Sequence, residues 1–155
     1  FPGHRDLPAE IAVLEETGLQ GDQTMVQTSG LAHMTIAVTD TERSLEFYRR
    51  HLGMTFLGGS HERGMIFLDA GGDCIILARV DTAPSTARLE DIHHAFIVDH
   101  GAYADAVEEL RENGVDVFFE EDRQGGVVNG PRAYFHDPAG NVLVILDLTS
   151  YTGAE

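Results

Sequence analysis

Residues 31 to 53 read LAHMTIAVTDTERSLEFYRRHLG, and the interpretation of that stretch fixes the architecture of the rest. LAHMTIAV is a β-rich run. TDTERSLEFYRRHLG then places Leu45, Tyr48 and Leu52 at helical spacing, with Thr39 and Glu42 in capping-box spacing before them and Gly53 as a stop after them. The segment is a strand followed by a helix. Short strands follow at MTFLG, GMIFLDA and DCIILARV, separated by glycine-containing turns.

After an aperiodic linker, DTAPSTARLED at 81–91, the same order begins again. IHHAFIVD reads as a strand, and HGAYADAVEELRENG as a helix with Tyr103, Ala106, Val107 and Leu110 inward and Gly114 as its stop. VDVFFE, PRAYFHD and NVLVILDL are the remaining strands. His33 and His93 each stand five residues before a valine, Val38 and Val98, that ends a first strand. A long period with conserved element order marks a duplication, a βαβββ unit written twice. The segment EEDRQGGVVNG, 120–130, reads as a loop, either a plain mobile one or a lid over a ligand. Gly58, Gly59 and SHERG read as its counterpart, with His61 and Glu62 on the surface.

The totals bound the function. A chain of 155 residues with 43% hydrophobic content supports one ordinary core or two half-size modules sharing one. The formal net charge is −16, and all ten cations are arginine. That field repels phosphate backbones and anionic membranes, so neither nucleic acid nor a lipid surface is an expected partner. Cys74 has no second cysteine to pair with and reads as a small core residue. No apolar run approaches the ~20 residues of a membrane span, and no signal-peptide pattern stands at the N-terminus, so a cytoplasmic location is expected. Residues 1–29 read as an arm, with a short helix in LPAEIAVLEETGLQGD between Pro8 and Gly18. The expected organisation is therefore an arm, 1–29, and one domain, 30–150, made of module 1 (31–80), the linker and module 2 (92–148).

Paired βαβββ modules with HMTIAVTDTERSLEFYRRHLG at one end and AYFHDPAGNVLVIL at the other resemble the vicinal-oxygen-chelate superfamily, which contains glyoxalases, extradiol dioxygenases, fosfomycin-modifying enzymes and bleomycin-binding resistance proteins. The resemblance implies an α+β fold in which two curved sheets close into a cup around a small-molecule ligand, in a homodimer. In metal-dependent members one ligand comes from the first strand of each module and a carboxylate from the last strand. Carried over, the first-strand positions are His33 and His93, the carboxylate position is Val144, and its mate in module 1 is Ile76. This sequence departs from the pattern at both of the latter, so the resemblance implies a weak or missing metal centre. Asp147 does not replace the carboxylate, because strand alternation puts it on the face opposite Val144.

The cup is expected to be lined by His33, Thr35, Ile76, His93, Arg132, Tyr134 and Val144. His33, His93 and Tyr134 are the candidate catalytic groups, since an imidazole near neutrality suits acid–base work. Arg132 and Tyr134 together suit an anionic or carbonyl-rich ligand edge. His94, pointing the other way, falls outside the cup. Asp137, Pro138 and Gly140 are turn chemistry.

Several readings stay open at this stage. One is sequestration or metal-independent acid–base chemistry in a cup with an incomplete metal site. The alternative is a lyase, isomerase or dioxygenase using a divalent Zn, Ni, Fe or Mn ion on His33 and His93, completed by His136, Glu62 or a partner's carboxylate. A third is a structural dimer module whose cup is filled.

Overall fold

A computed structural model describes residues 26–83 and 92–152. The arm helix and most of the linker lie outside those residues. Residues 31–155 form one compact unit and residues 1–30 another, of which 26–30 are coil. Among the described residues no helix is long and apolar enough to cross a membrane.

Module 1 runs β1 (His33–Val38), α1 (Thr41–Leu52), β2 (Thr55–Ser60), β3 (Met65–Ala70) and β4 (Asp73–Arg79). Module 2 runs β5 (His94–Ile97), α2 (Tyr103–Glu112), β6 (Val117–Arg123), β7 (Val128–His136) and β8 (Val142–Leu146), and a two-residue β9 (Ser150–Tyr151) pairs with the start of β7. The sheets repeat one topology, β1-β4-β3-β2 and β5-β8-β7-β6, with a parallel pair between the first and last strands of each module. The twofold βαβββ pattern is thus present in the structure.

Local chemistry explains most boundaries. Asp40, rather than the capping box expected from Thr39, opens α1: its carboxylate accepts hydrogen bonds from the backbone N–H groups of Glu42 and Arg43, both at 3.1 Å. Gly53 closes the helix at φ 63°, a left-handed conformation that glycine adopts without cost. Two expected loops are shorter than read, leaving turns at 124–127 and 61–64. Residues 120–130 extend β6 and β7 into a hairpin, and Gly58 and Gly59 belong to β2, where a register shift absorbs them. At Gly59 and Gly130 the glycine answers backbone crowding. A Cβ on Gly130 would collide with the Asp147 carbonyl, so the close approach of β7 to the chain after β8 requires glycine.

One core serves both modules. Ile36, Val38, Ile75 and Leu77 from the first sheet join Ala133, Phe135, Leu143 and Ile145 from the second, with Tyr48 of α1 and Val107 and Leu110 of α2. α1 packs on β3 and β4 of its own sheet, yet its Phe47 ring lies 6.4 Å from the Phe135 ring on β7. A helix about 10–12 Å across reaches both only where the two sheets turn their helix-bearing sides toward a common interior. Asp137 fastens this joint. Its buried carboxylate accepts from the Tyr48 hydroxyl (2.7 Å), the Asn141 amide side chain (2.9 Å) and the backbone N–H groups of Ala139 and Asn141, while Asn141 also donates to the Ala37 carbonyl of β1 (2.8 Å). The turn therefore does more than aim β8: it ties module 2 to the helix and first strand of module 1.

Candidate functional site

Strand pairing sorts the candidates onto two faces. In module 1, His33 is opposite Cys74 and Thr35 opposite Ile76, on the side away from Ile36 and Leu77. His33 and Thr35 are exposed and Ile76 is buried. Cys74 is half-buried on this same outer face and is not a core residue as its neighbours suggested; a one-residue parity difference separates it from Ile75.

In module 2, Tyr134 is opposite Val144, Arg132 opposite Leu146 and His136 opposite Val142, so Arg132, Tyr134 and His136 share a face as expected. Ala95 pairs with Val144, which puts His93, two residues earlier, on that face as well; its ring meets the Tyr134 ring edge-on at 6.0 Å. His94 takes the opposite side, half-buried, and burial and then the adjacent His93 hold its imidazole below the usual histidine range, against an opposing pull from Asp137.

The two faces differ in character. Val142, Val144 and Tyr134 form a small buried cluster with Phe119 packed on it, and Val144 is 1% exposed. A register shift in β6 brings both Phe118 and Phe119 to the Tyr134 side, and Phe118 stacks on His136 at 4.6 Å. The module 2 face is an aromatic floor. Because both sheets give their helix sides to one interior, the faces bearing His33 and His93 look outward from it. A single chain does not close the expected cup.

Glu121 is the functional candidate that the sequence reading missed. It was assigned to a loop, whereas β6 carries it onto the floor beside Tyr134. The Tyr134 hydroxyl donates to Glu121 Oε1 at 3.0 Å, and Arg123 and Arg132 approach the same oxygen at 3.6 and 4.0 Å. Alternation along VFFEEDR, which groups Glu121 with Phe119, was the signal available; the pairing with β7 shows which face that is. Burial first, and then the Glu121 carboxylate, push the Tyr134 phenol above its ordinary range. Arg132 is buried and already committed, donating through Nη2 to the Val128 carbonyl (2.8 Å) and through Nε to the Gly130 carbonyl (3.4 Å).

The remaining candidates lie elsewhere. His61 is no bare surface group: its Nδ1 is 2.9 Å from the Thr41 hydroxyl. Glu62 sits in the same turn, its carbonyl accepting from Arg79. Asp147 points away from Val144, where His100 Nδ1 (3.0 Å) and the Gly101 N–H (3.2 Å) contact its carboxylate; the His100 contact foremost holds that carboxyl below its usual range. The described residues contain no group of three or more His, Cys, Asp or Glu able to hold a metal ion. His33 and His93 on separate faces, with Val144 where a carboxylate would be needed, do not fit a resident divalent ion within one chain.

A family model described as Glyoxalase/Bleomycin resistance protein/Dioxygenase superfamily matches residues 30–145. The metallothiol transferase FosB of Staphylococcus haemolyticus is 29% identical over 115 residues, covering 74% of this chain and 80% of that protein. Among solved structures, the fosfomycin resistance protein FosX from Listeria monocytogenes, complexed with Mn(II) and sulfate ion, matches with a TM-score of 0.65 at 21% identity, over 78% of this chain and 91% of that one. A putative glyoxalase family protein from Bacillus anthracis matches with a TM-score of 0.65 at 22% identity, over 81% and 100%. At such identities the structural likeness speaks for the fold.

Proposed function

Because the chain belongs to the Glyoxalase/Bleomycin resistance protein/Dioxygenase superfamily, we propose that it binds a small molecule in a cup completed by a second copy, working by sequestration or metal-independent acid–base chemistry. The carrying observation is Val144. It faces the aromatic floor at 1% exposure and offers methyl groups where the resemblance calls for an anionic oxygen. Two imidazoles alone lack the third, charge-offsetting ligand that catalytic divalent sites usually have. The outward orientation of the two faces supports the homodimer: His33, Thr35 and Ile76 of one protomer would meet His93, Tyr134 and Val144 of its partner.

In that cup the chain's own groups have distinct tasks. The apolar and aromatic floor excludes water and takes flat or apolar ligand surface, at about 25 cal/mol per Å² hidden from solvent. His93, exposed at the floor's margin, is the candidate acid–base group. Tyr134, its hydroxyl directed to Glu121, orients rather than ionises.

A second reading, a divalent-metal-dependent enzyme, draws on the names of the relatives, a metallothiol transferase and a protein complexed with Mn(II). Elemental analysis of protein purified from metal-supplemented cells separates the two. Substoichiometric metal, unchanged by His33→Ala, is expected here; near-stoichiometric Mn, Ni, Fe or Zn that disappears with His33→Ala would establish the metalloenzyme instead.

A further inference from the structure

Resting on the cup reading above, we propose that Glu121 selects the ligand, and that the module 2 face takes a cationic, N–H-bearing nitrogen carried on a flat apolar body. The polar groups on this face divide unequally. The Tyr134 hydroxyl proton is spent on Glu121, and two of the three Arg132 nitrogens are spent on the carbonyls of Val128 and Gly130, inside a side chain that is nearly all buried. Burial and these two bonds leave Arg132 little open guanidinium edge for an anion, and Arg123 is drawn toward Glu121.

What remains open is an acceptor. Tyr134, Arg123 and Arg132 all address Oε1 of Glu121, and no hydrogen bond to a described residue uses Oε2. A carboxylate has about four lone-pair sites, so the second oxygen retains capacity for a donor. On the same face stand the Tyr134 ring, whose hydroxyl meets Glu121, and the Phe119 ring 5.4 Å from it; the negative faces of such rings attract a cation. Arg123 and Arg132 oppose this: the Arg123 contact is 3.6 Å long on a side chain half open to water, where an ion pair is well screened, and the Arg132 guanidinium stands 4.0 Å away, turned to the Val128 and Gly130 carbonyls. The net charge of −16 adds a long-range field of the right sign for a cation. On this proposal the open partner is the Glu121 carboxylate, in place of the anionic or carbonyl-rich edge read for Arg132 and Tyr134.

Three probes with one ring and different heads test this on the full chain: benzylammonium, benzyl alcohol and benzoate, titrated while the methyl resonances of Val144 are followed by NMR. Benzylammonium is expected to bind about tenfold more tightly than benzoate, the strength of one charge-assisted hydrogen bond, with the alcohol between them. High salt should leave most of that preference, because a direct contact is screened far less than a diffuse field. Glu121→Gln, which keeps an acceptor for Tyr134, should abolish it. Benzoate binding as tightly as benzylammonium overturns the proposal, and that ranking is read on the unaltered protein should the variant fail to fold. A preference undiminished in Glu121→Gln overturns it too. If no probe moves Val144, the cup reading itself falls and takes this one with it.

Discussion

The two sheets have one topology and opposite surfaces. On the outer face of module 1, His33 and Thr35 are exposed, and Met65, opposite Ala78, is 41% exposed. The equivalent face of module 2 is closed over: Tyr134 and Val144 are 3% and 1% exposed beneath Phe118, Phe119 and His93. A duplicated backbone therefore does not duplicate chemistry. The inner faces, by contrast, merge into one core, so the modules are joined where they are alike and distinct where they differ.

Val144→Glu breaks this contrast most severely. An ionised carboxylate on the closed floor, facing Tyr134, should cost about 3–5 kcal/mol by chemical denaturation, whereas Thr35→Glu on the open face should stay within about 0.5 kcal/mol. Equal costs would mean that the two faces are equally solvated. Leu77→Ala and Leu143→Ala, one in each module and both fully buried, should each cost about 2–5 kcal/mol. Because the core is shared, native-state hydrogen exchange should then show protection falling in both sheets together; loss confined to the mutated sheet would separate the modules.

The joint between them has a pH signature. Burial, and then the Asp137 carboxylate, raise the Tyr48 phenol far above its ordinary value of 10.0. A group with a raised folded pKa contributes stability that is complete below its unfolded value and lost above it. Stability should therefore decline above about pH 10, and in an ultraviolet titration Tyr48 should ionise only on unfolding. Tyr48→Phe should remove that alkaline contribution and cost about 1–3 kcal/mol at neutral pH, since the buried Asp137 loses one of its donors. Asp147 acts at the other end of the scale. Its carboxyl, lowered first by the His100 contact, stabilises above its unfolded value, and that contribution disappears as pH falls through the folded value, so Asp147→Asn should flatten the acid limb of a stability profile.

The smallest expected effect concerns Ser44, whose hydroxyl is buried in α1 and is the one fully buried side-chain polar atom without a hydrogen bond among the described residues. Ser44→Ala removes an unsatisfied group and raises helix propensity, so stability should hold or rise by up to about 1 kcal/mol. A loss above that size would reveal a partner for the hydroxyl.

Much of this was readable in the linear chain because it depends on short-range periodicity. The spacing of Leu45, Tyr48 and Leu52, the stop at Gly53 and the repeat of His33 and Val38 at His93 and Val98 specify strand, helix and duplication locally, and parity alone separated Val144 from Asp147 and His93 from His94. Glu121 escaped because its glycine-rich surroundings read as a loop, and only strand pairing with Ala133 and Arg132 showed which way each side chain points. Cys74 was misplaced for the reverse reason, an apolar neighbourhood that does not say which side of the sheet is covered. Nor does periodicity say which sheet face meets which across a fold. That the helix sides of both sheets converge on one core, leaving His33 and His93 to look outward, follows from long-range packing such as Phe47 on Phe135 and Tyr48 on Asp137, pairs separated by nearly ninety residues of chain.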